Sequence, residues 1–379
     1  MHWKSFIIGL SLLGMGACSY QPQTHVIRIG EYGSLTGSEA TFGISTEEGI
    51  QLAVQKINAQ GGIHGKKIHM FVLDDQGQPQ EAVIAVTKLI TEDHVAAILG
   101  AVASSESLAA APICQRNHVP MISPASTNPQ LTQVGNYIFR VCFTDTFQGR
   151  VMADFARYHL KDKRIAVLKD QRSAYSVGLA QAFIHRFKQE GGTIVSIQSY
   201  DAGDIDFKSQ LTVIRQRKPQ AIFIPGYYTE VGLIARQARQ LGIKVPLLGG
   251  DGWDSSKLFQ IGGRALNGCY FSTHFTALSQ NPRVQKFVKE FKEQYHSTPD
   301  ALASLGYDAA GVLFQALKAS RNLSGASIRK QIQHTRHYQG VTGSITINAH
   351  RNAIKSAVIL KIENKKTLYI ASVYPKKIK

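Results

Sequence analysis

The sequence predicts an α/β protein of two lobes, each a mainly parallel sheet flanked by helices, with hinge crossovers between them. Three observations carry that expectation. Short apolar runs alternate with helical patterns from residue 26 to about residue 272. The alternation pauses after residue 122 and restarts near residue 147, which implies two sheets in succession. A chain of 379 residues is also longer than one hydrophobic core usually serves.

In the first set, Val26–Gly30 reads as a strand. Ser45 to Ala59 reads as a helix: Ser45 and Glu48 have capping-box spacing, Ile50, Ala53, Val54 and Ile57 recur at helical spacing, and Gly61-Gly62 end it. Strands at Ile68–Leu73, Val95–Gly100 and Val119–Ile122 then alternate with helices at Gln80–Glu92 and Ser105–Asn117. The second set runs helix Phe147–Leu160, strand Arg164–Leu168, helix Ser176–Glu190, strand Thr193–Ser199, helix Phe207–Arg217, strand Ala221–Ile224, helix Glu230–Leu241 and strand Pro246–Gly249.

The tail breaks this rhythm. Helices at Pro282–Tyr295 and Leu302–Ser320 precede strands near Ser344–Ile347, Ala357–Ile362 and Leu368–Val373, so the chain is expected to recross between lobes. The division that follows gives 24–145 plus 275–356 to the first lobe and 146–274 plus 357–379 to the second. Such a molecule has a hinge and a cleft, and open α/β sheets bind ligands beyond the carboxyl ends of their strands.

Composition narrows the function. The formal charge is +17, from 43 Lys and Arg against 26 Asp and Glu, but the basic residues are scattered (Lys66-Lys67, Arg215/Arg217/Lys218, Lys376-Lys377). Nucleic-acid binding would call for a basic stripe with interleaved aromatics, so no nucleic-acid partner is expected; proximity to an anionic membrane accounts for the charge. Lys4 precedes an apolar run, Phe6–Leu13, too short to span a bilayer, and small residues lead to Cys18, as in an export signal. Ending on Cys18, this segment resembles a bacterial lipoprotein signal, which implies cleavage before Cys18, lipid on its thiol and an extracytoplasmic location on a membrane anchor. Cys114, Cys142 and Cys269 are far apart and allow at most one disulfide, and no Cys/His spacing suggests a metal.

Three strand ends carry the chemistry. Val95–Gly100 runs into "AVASSES", which places Ser104 and Ser105 where a helix begins; free N–H groups and partial positive charge there suit a carboxylate, although Ser104 as a plain cap is the simpler alternative. Val119–Ile122 runs into "SPASTNP", where two prolines bound a turn that offers the Ala125 C=O and the Thr127 hydroxyl. Pro246–Gly249 runs into "GGDGW", with Asp251 between glycines that let a ligand approach the backbone. Together they describe an anion site on one lobe and a carboxylate on the other, which a zwitterion would bridge. Phe42, Tyr175 and Tyr227 occupy comparable loop positions.

The stretches "IRIGEYGSLTGSEATFG", "GIQLAVQKINAQGGIHGKKI", "DDQGQP", "SPASTNPQLT" and "TDTFQG" closely resemble the type I periplasmic binding proteins of the leucine/isoleucine/valine family, from about residue 26 to 272 and more loosely to 362. The resemblance implies a monomeric, cofactor-free receptor that closes on a branched-chain or similar amino acid and delivers it to an ABC permease and its ATPase subunits. It assigns Ser104 and Thr127 to the ligand carboxylate, Ala125 and Asp251 to the ammonium group, and Phe42, Tyr175 and Tyr227 to the side-chain pocket. Leucine-binding members commonly carry Glu at the Asp251 position, one methylene longer. A disulfide of some members would need cysteines near Gly77 and Ala103, and neither is one.

An enzyme is not expected. G-x-S-x-G is absent, "GEYGSLTG" lacks dinucleotide spacing, and His334 and His337 have no partner that completes a metal set. The other class to weigh is a sensor of a short amide or similar metabolite acting on a signalling partner; a lipid anchor without a transmembrane helix favours transport.

Overall fold

The computed structural model describes residues 26–375, so the expected signal segment and Cys18 lie outside the described residues. The first unit is β1 (Val26–Gly33), α1 (Ala40–Ala59), β2 (Lys67–Asp74), α2 (Pro79–Thr91), β3 (Ile98–Leu99), α3 (Ser104–Arg116), β4 (Met121–Ser123) and β5 (Ile138–Arg140). Its sheet has the order β2-β1-β3-β4-β5, and all its pairs are parallel. Ile29, Leu99, Ile122 and Phe139 are buried in the core under its helices.

The second unit is α4 (Asp145–Asp154), β6 (Arg164–Asp170), α5 (Ala174–Gln189), β7 (Thr193–Tyr200), α6 (Lys208–Gln216), β8 (Ala221–Phe223), α7 (Tyr228–Gln240), β9 (Leu247–Gly249), α8 (Ser256–Gly262) and β10 (Tyr270–Thr273). The chain continues through α9 (Pro282–Tyr295), α10 (Ala301–Ala319), α11 (Gly325–Gln333), β11 (Tyr338–Gly340), β12 (Gly343–Ile347), β13 (Ala353–Ile354), β14 (Ala357–Glu363) and β15 (Lys366–Val373). The second sheet runs β15-β14-β10-β9-β8-β6-β7: β14 pairs antiparallel with β10 and β15 with β14, and the other pairs are parallel. Strands β11–β13 form a small antiparallel sheet of their own.

One helix start is instructive. Helix α1 begins at Ala40, five residues before the expected Ser45, and Ser45 does not cap it; its hydroxyl donates to Asp300 Oδ1 at 2.5 Å. The buried stripe already begins at Phe42 and continues through Thr46, Gly49, Ile50 and Ala53, so packing sets the start and overrides the capping-box spacing. That stripe meets α10 at van der Waals contact of the two backbones. A Cβ on Gly49 would lie 1.9 Å from the Ala303 carbonyl oxygen, and one on Gly306 2.4 Å from that of Thr46. The pairing ties α10 to the first unit, and the Lys56–Glu290 ion pair (2.7 Å) ties α9 to it as well.

Three segments therefore pass between the units: residues 141–144, 274–281 and 355–356. The units are closed on each other. Asn128 Nδ2 donates to Ala174 O (2.7 Å), Ala174 N to Ser105 Oγ (3.1 Å) and Thr229 Oγ1 to Ser38 O (3.0 Å), while the Thr41 and Ser255 hydroxyls lie 2.9 Å apart. None of the helices among the described residues is long and apolar enough to cross a membrane.

Candidate functional site

The carboxyl ends of β3, β4 and β9 meet at this closed cleft, around a cavity of about 20 Å³ lined by Phe42, Val102, Ser104, Ala125, Tyr175, Tyr227, Asp251, Gly252 and Leu302. Six of the seven expected cleft residues are on that wall. The seventh, Thr127, is buried beside it without reaching the lining. A water needs about 10–15 Å³ by such a measure, so a larger ligand enters only as the lobes part.

On the first lobe, Ala103 occupies the N-cap of α3 and no side chain caps the helix. Ser104 is thus not a cap: its Oγ accepts from Asn128 N at 3.3 Å, which leaves the first turn's N–H groups for another acceptor. The Ser123–Asn128 turn is held from below. Ser126 Oγ reaches the carbonyls of Ala101, Val102 and Ala103 at 2.9–3.1 Å, and Ser123 Oγ donates to Ala101 O at 2.8 Å. The guanidinium of Arg140, fully buried at the end of β5, donates to Ser126 O and Asn128 O, both at 2.6 Å. Asp145 N takes the Thr127 carbonyl at 2.9 Å. These bonds consume the turn's carbonyls around Ala125 and leave the Thr127 hydroxyl beside the Asp145 carboxyl, without a hydrogen bond of good geometry to it. Burial holds that Asp145 carboxyl well above the ordinary carboxylate range, against the lowering effects of Thr127 and Arg140.

On the second lobe, Asp251 opens a short 3-10 turn after β9 and is 8% exposed. Gln148 Nε2 donates to its Oδ1 at 2.9 Å, and His274 Nε2 lies 3.0 Å from its Oδ2. Burial lowers His274 to about 4, although Asp251 opposes the shift, so the imidazole is neutral at pH 7 and Nε2–H is the donor. Asp251 consequently has only neutral partners among the described residues. Tyr175 accepts from Gly252 N at 3.1 Å and stacks on Tyr227 with ring centroids 5.1 Å apart; Phe42, from the other lobe, meets Tyr227 edge-on at 5.5 Å. No group of three or more metal-ligating side chains occurs among the described residues, and Cys114, Cys142 and Cys269 are buried free thiols.

Sequence reasoning missed Arg140, Gln148 and His274. Gln148 lies in the quoted "TDTFQG" and Arg140 precedes it by a few residues, but neither spacing nor composition connects them with Asp251 or the Ala125 turn.

Next to the cleft, Glu106 in the first turn of α3 is buried with Oε2 unpartnered. Burial, aided by the charge of Asp75 and opposed by its own backbone N–H, pushes its carboxyl from the ordinary 4.5 up to about 7. The folded protein then keeps a proton that the unfolded chain releases, so this group's stabilisation is full below about 4.5 and is lost as pH rises through about 7. Glu106→Gln is expected to raise stability at pH 8, on the order of 2–3 kcal/mol, and to change little at pH 4.5, measured as urea midpoints at both values. Parallel pH–stability curves for wild type and variant would refute this.

Closure of two such sheets over a charged, aromatic cleft defines a ligand-binding protein of the bilobed class. The sequence matches the periplasmic binding protein family over residues 26–367, and the chain belongs to that family. A Leu/Ile/Val-binding protein homologue of Brucella melitensis is 30% identical over 84% of this chain and 86% of its own length. Among solved structures, a leucine-binding protein of Thermotoga maritima superposes with a TM-score of 0.88 at 40% identity, covering 92% of this chain and 99% of that one. The branched-chain amino acid transporter substrate-binding protein of Streptococcus pneumoniae, solved in complex with isoleucine, gives 0.88 at 32% identity, covering 92% and 100%.

Proposed function

We propose that this protein is an extracytoplasmic receptor that closes on a small amino acid with an apolar side chain and presents it to an ABC permease and its ATPase subunits. One observation carries the reading: Asp251 is a buried carboxylate with only neutral partners, on the same cavity wall as the uncapped start of α3. A buried charge without a counter-charge is costly, and a ligand ammonium removes that cost. At the other pole, Ser104 and the free N–H groups of α3 receive the carboxylate, and the Ala125 carbonyl joins Asp251 on the ammonium. The Thr127 hydroxyl, now just behind the wall, joins Ser104 on the carboxylate only once the cleft has opened to admit the ligand. Phe42, Tyr175, Tyr227, Val102 and Leu302 leave an apolar place for the side chain. The ligands named for the Thermotoga and Streptococcus proteins support the same class.

In this reading, residues 24–145 with 275–356 form one lobe and 146–274 with 357–379 the other, the receptor acts as a monomer without cofactor, and lipid on Cys18 attaches it to the membrane. Because Phe42 comes from the first lobe and Asp251, Tyr175 and Tyr227 from the second, a ligand touching both sets favours the closed state and shifts the open–closed equilibrium. A thermal-shift screen of the common L-amino acids against their des-amino acids and short amides tests the assignment. The fitting amino acid should stabilise by about 2.7 kcal/mol at a hundredfold excess over its Kd, and its des-amino acid should not. Stabilisation by amides alone, or by no amino acid, overturns it.

A further inference from the structure

The partners of Asp251 come from two stretches far apart in sequence, each beside a crossover. Gln148 stands on α4, just after the first crossover, and His274 is the first residue of the second crossover, immediately after β10. Both are almost wholly buried, and each takes one oxygen of the carboxylate, at 2.9 and 3.0 Å. The imidazole is itself held in orientation: it stacks on Phe143, a residue of the first crossover, with ring centroids 3.6 Å apart and planes 20° from parallel. Its Nδ1 is buried and has no hydrogen-bond partner. The bond to Asp251 is therefore the one polar contact that Nε2–H makes among the described residues, and it fixes the ring tautomer.

We propose that His274 is a positioning residue for ligand recognition: together with Gln148 it fixes the Asp251 carboxylate, so that the crossover carrying His274 sets where the ligand's ammonium group is met. The inference rests on the reading of Asp251 as the ammonium partner. Aspartate has a short side chain with a single freely turning terminal torsion, and two donors on its two oxygens stop that rotation. Both donors are neutral, so neither supplies a counter-charge, and the carboxylate keeps free lone pairs for a third donor. The lobes close about the segment that holds His274, so the carboxylate is aimed by the same backbone that closes the cleft. Recognition and closure then share one residue on the second crossover.

The test is a double-mutant cycle on affinity, measured by calorimetry with the tightest binder among the common L-amino acids. His274→Phe keeps the stack on Phe143 and removes the donor, while His274→Gln restores a donor. The expected results are a loss of tenfold or more for His274→Phe, recovery to within about threefold for His274→Gln, and a cost below about twofold for His274→Phe when Asp251→Ala is already present. Gln148→Leu runs through the same cycle and reads the other oxygen if His274→Phe does not fold; it too should cost tenfold or more alone and little beside Asp251→Ala. Equal costs in both backgrounds overturn the positioning role and leave the ammonium assignment standing. No loss on Asp251→Ala alone instead overturns the ammonium assignment itself.

Discussion

Asp251→Ala is expected to weaken amino-acid binding by about 10- to 150-fold, with the des-amino acid of the same ligand nearly unaffected. The magnitude follows from a charge-assisted hydrogen bond, worth roughly 1.5–3 kcal/mol, removed from a site where water does not replace it. Truncation also leaves the Gln148 and His274 donors without an acceptor in the ligand-free and ligand-bound protein alike, a cost to stability that cancels from the affinity. The ligand-free variant should not lose stability in proportion, since wild-type Asp251 is a buried carboxylate lacking a cationic partner among the described residues. Calorimetry with the ligand pair, alongside thermal unfolding of the ligand-free proteins, separates the two effects. An affinity unchanged within twofold would remove Asp251 from the site.

Arg140→Met should cost roughly 3–5 kcal/mol of stability, the largest loss expected of any single change near the cleft. Arg140 is fully buried, and burial lowers its pKa, opposed by Cys142 and Asp145. What holds it is the pair of 2.6 Å bonds to the carbonyls of Ser126 and Asn128. Methionine fills the stem's volume and removes the two charge-assisted bonds, leaving Ser126 O with only the Cys142 thiol (3.3 Å) and Asn128 O with only Leu131 N (3.2 Å). Those two carbonyls flank Thr127 and anchor the turn that carries Ala125, so affinity should fall with stability even though Arg140 is not on the cavity wall. A urea midpoint unchanged from wild type would show that the turn is held by its serine bonds alone.

The two predictions differ in how legible their residues were. Asp251 is legible as a carboxylate between glycines at a strand end, a placement an Asx-type turn explains equally well when taken alone. Ser104 at a helix start and Ala125 between prolines gain meaning only beside it, since a plain cap and a plain turn explain each alone, and the structure brings all three to one cavity. Arg140 sits in a segment with no strand signal long enough to stand out: β5 is three residues long, and the two terminal nitrogens of its arginine bond to carbonyls that any sequence provides. Gln148 and His274 lie 103 and 23 residues from Asp251 in the chain, and neither residue type is unusual where it stands. The start of α1 was misplaced for a related reason: Ser45 and Glu48 mimic a cap, whereas the apolar face contributed by Phe42 is recognisable only once α10 lies against it.

The sequence by itself determined the alternation of strands and helices, the restart that makes two sheets, and the polar groups at three strand ends, because periodicity and local backbone chemistry are properties of neighbours in the chain. Tertiary structure alone decided which of those groups share a cavity, that Thr127 stands behind its wall, and that Asp251 is held by Gln148 and His274. Those outcomes depend on contacts between segments far apart in sequence, where packing and the cost of burying an unpaired charge set the arrangement.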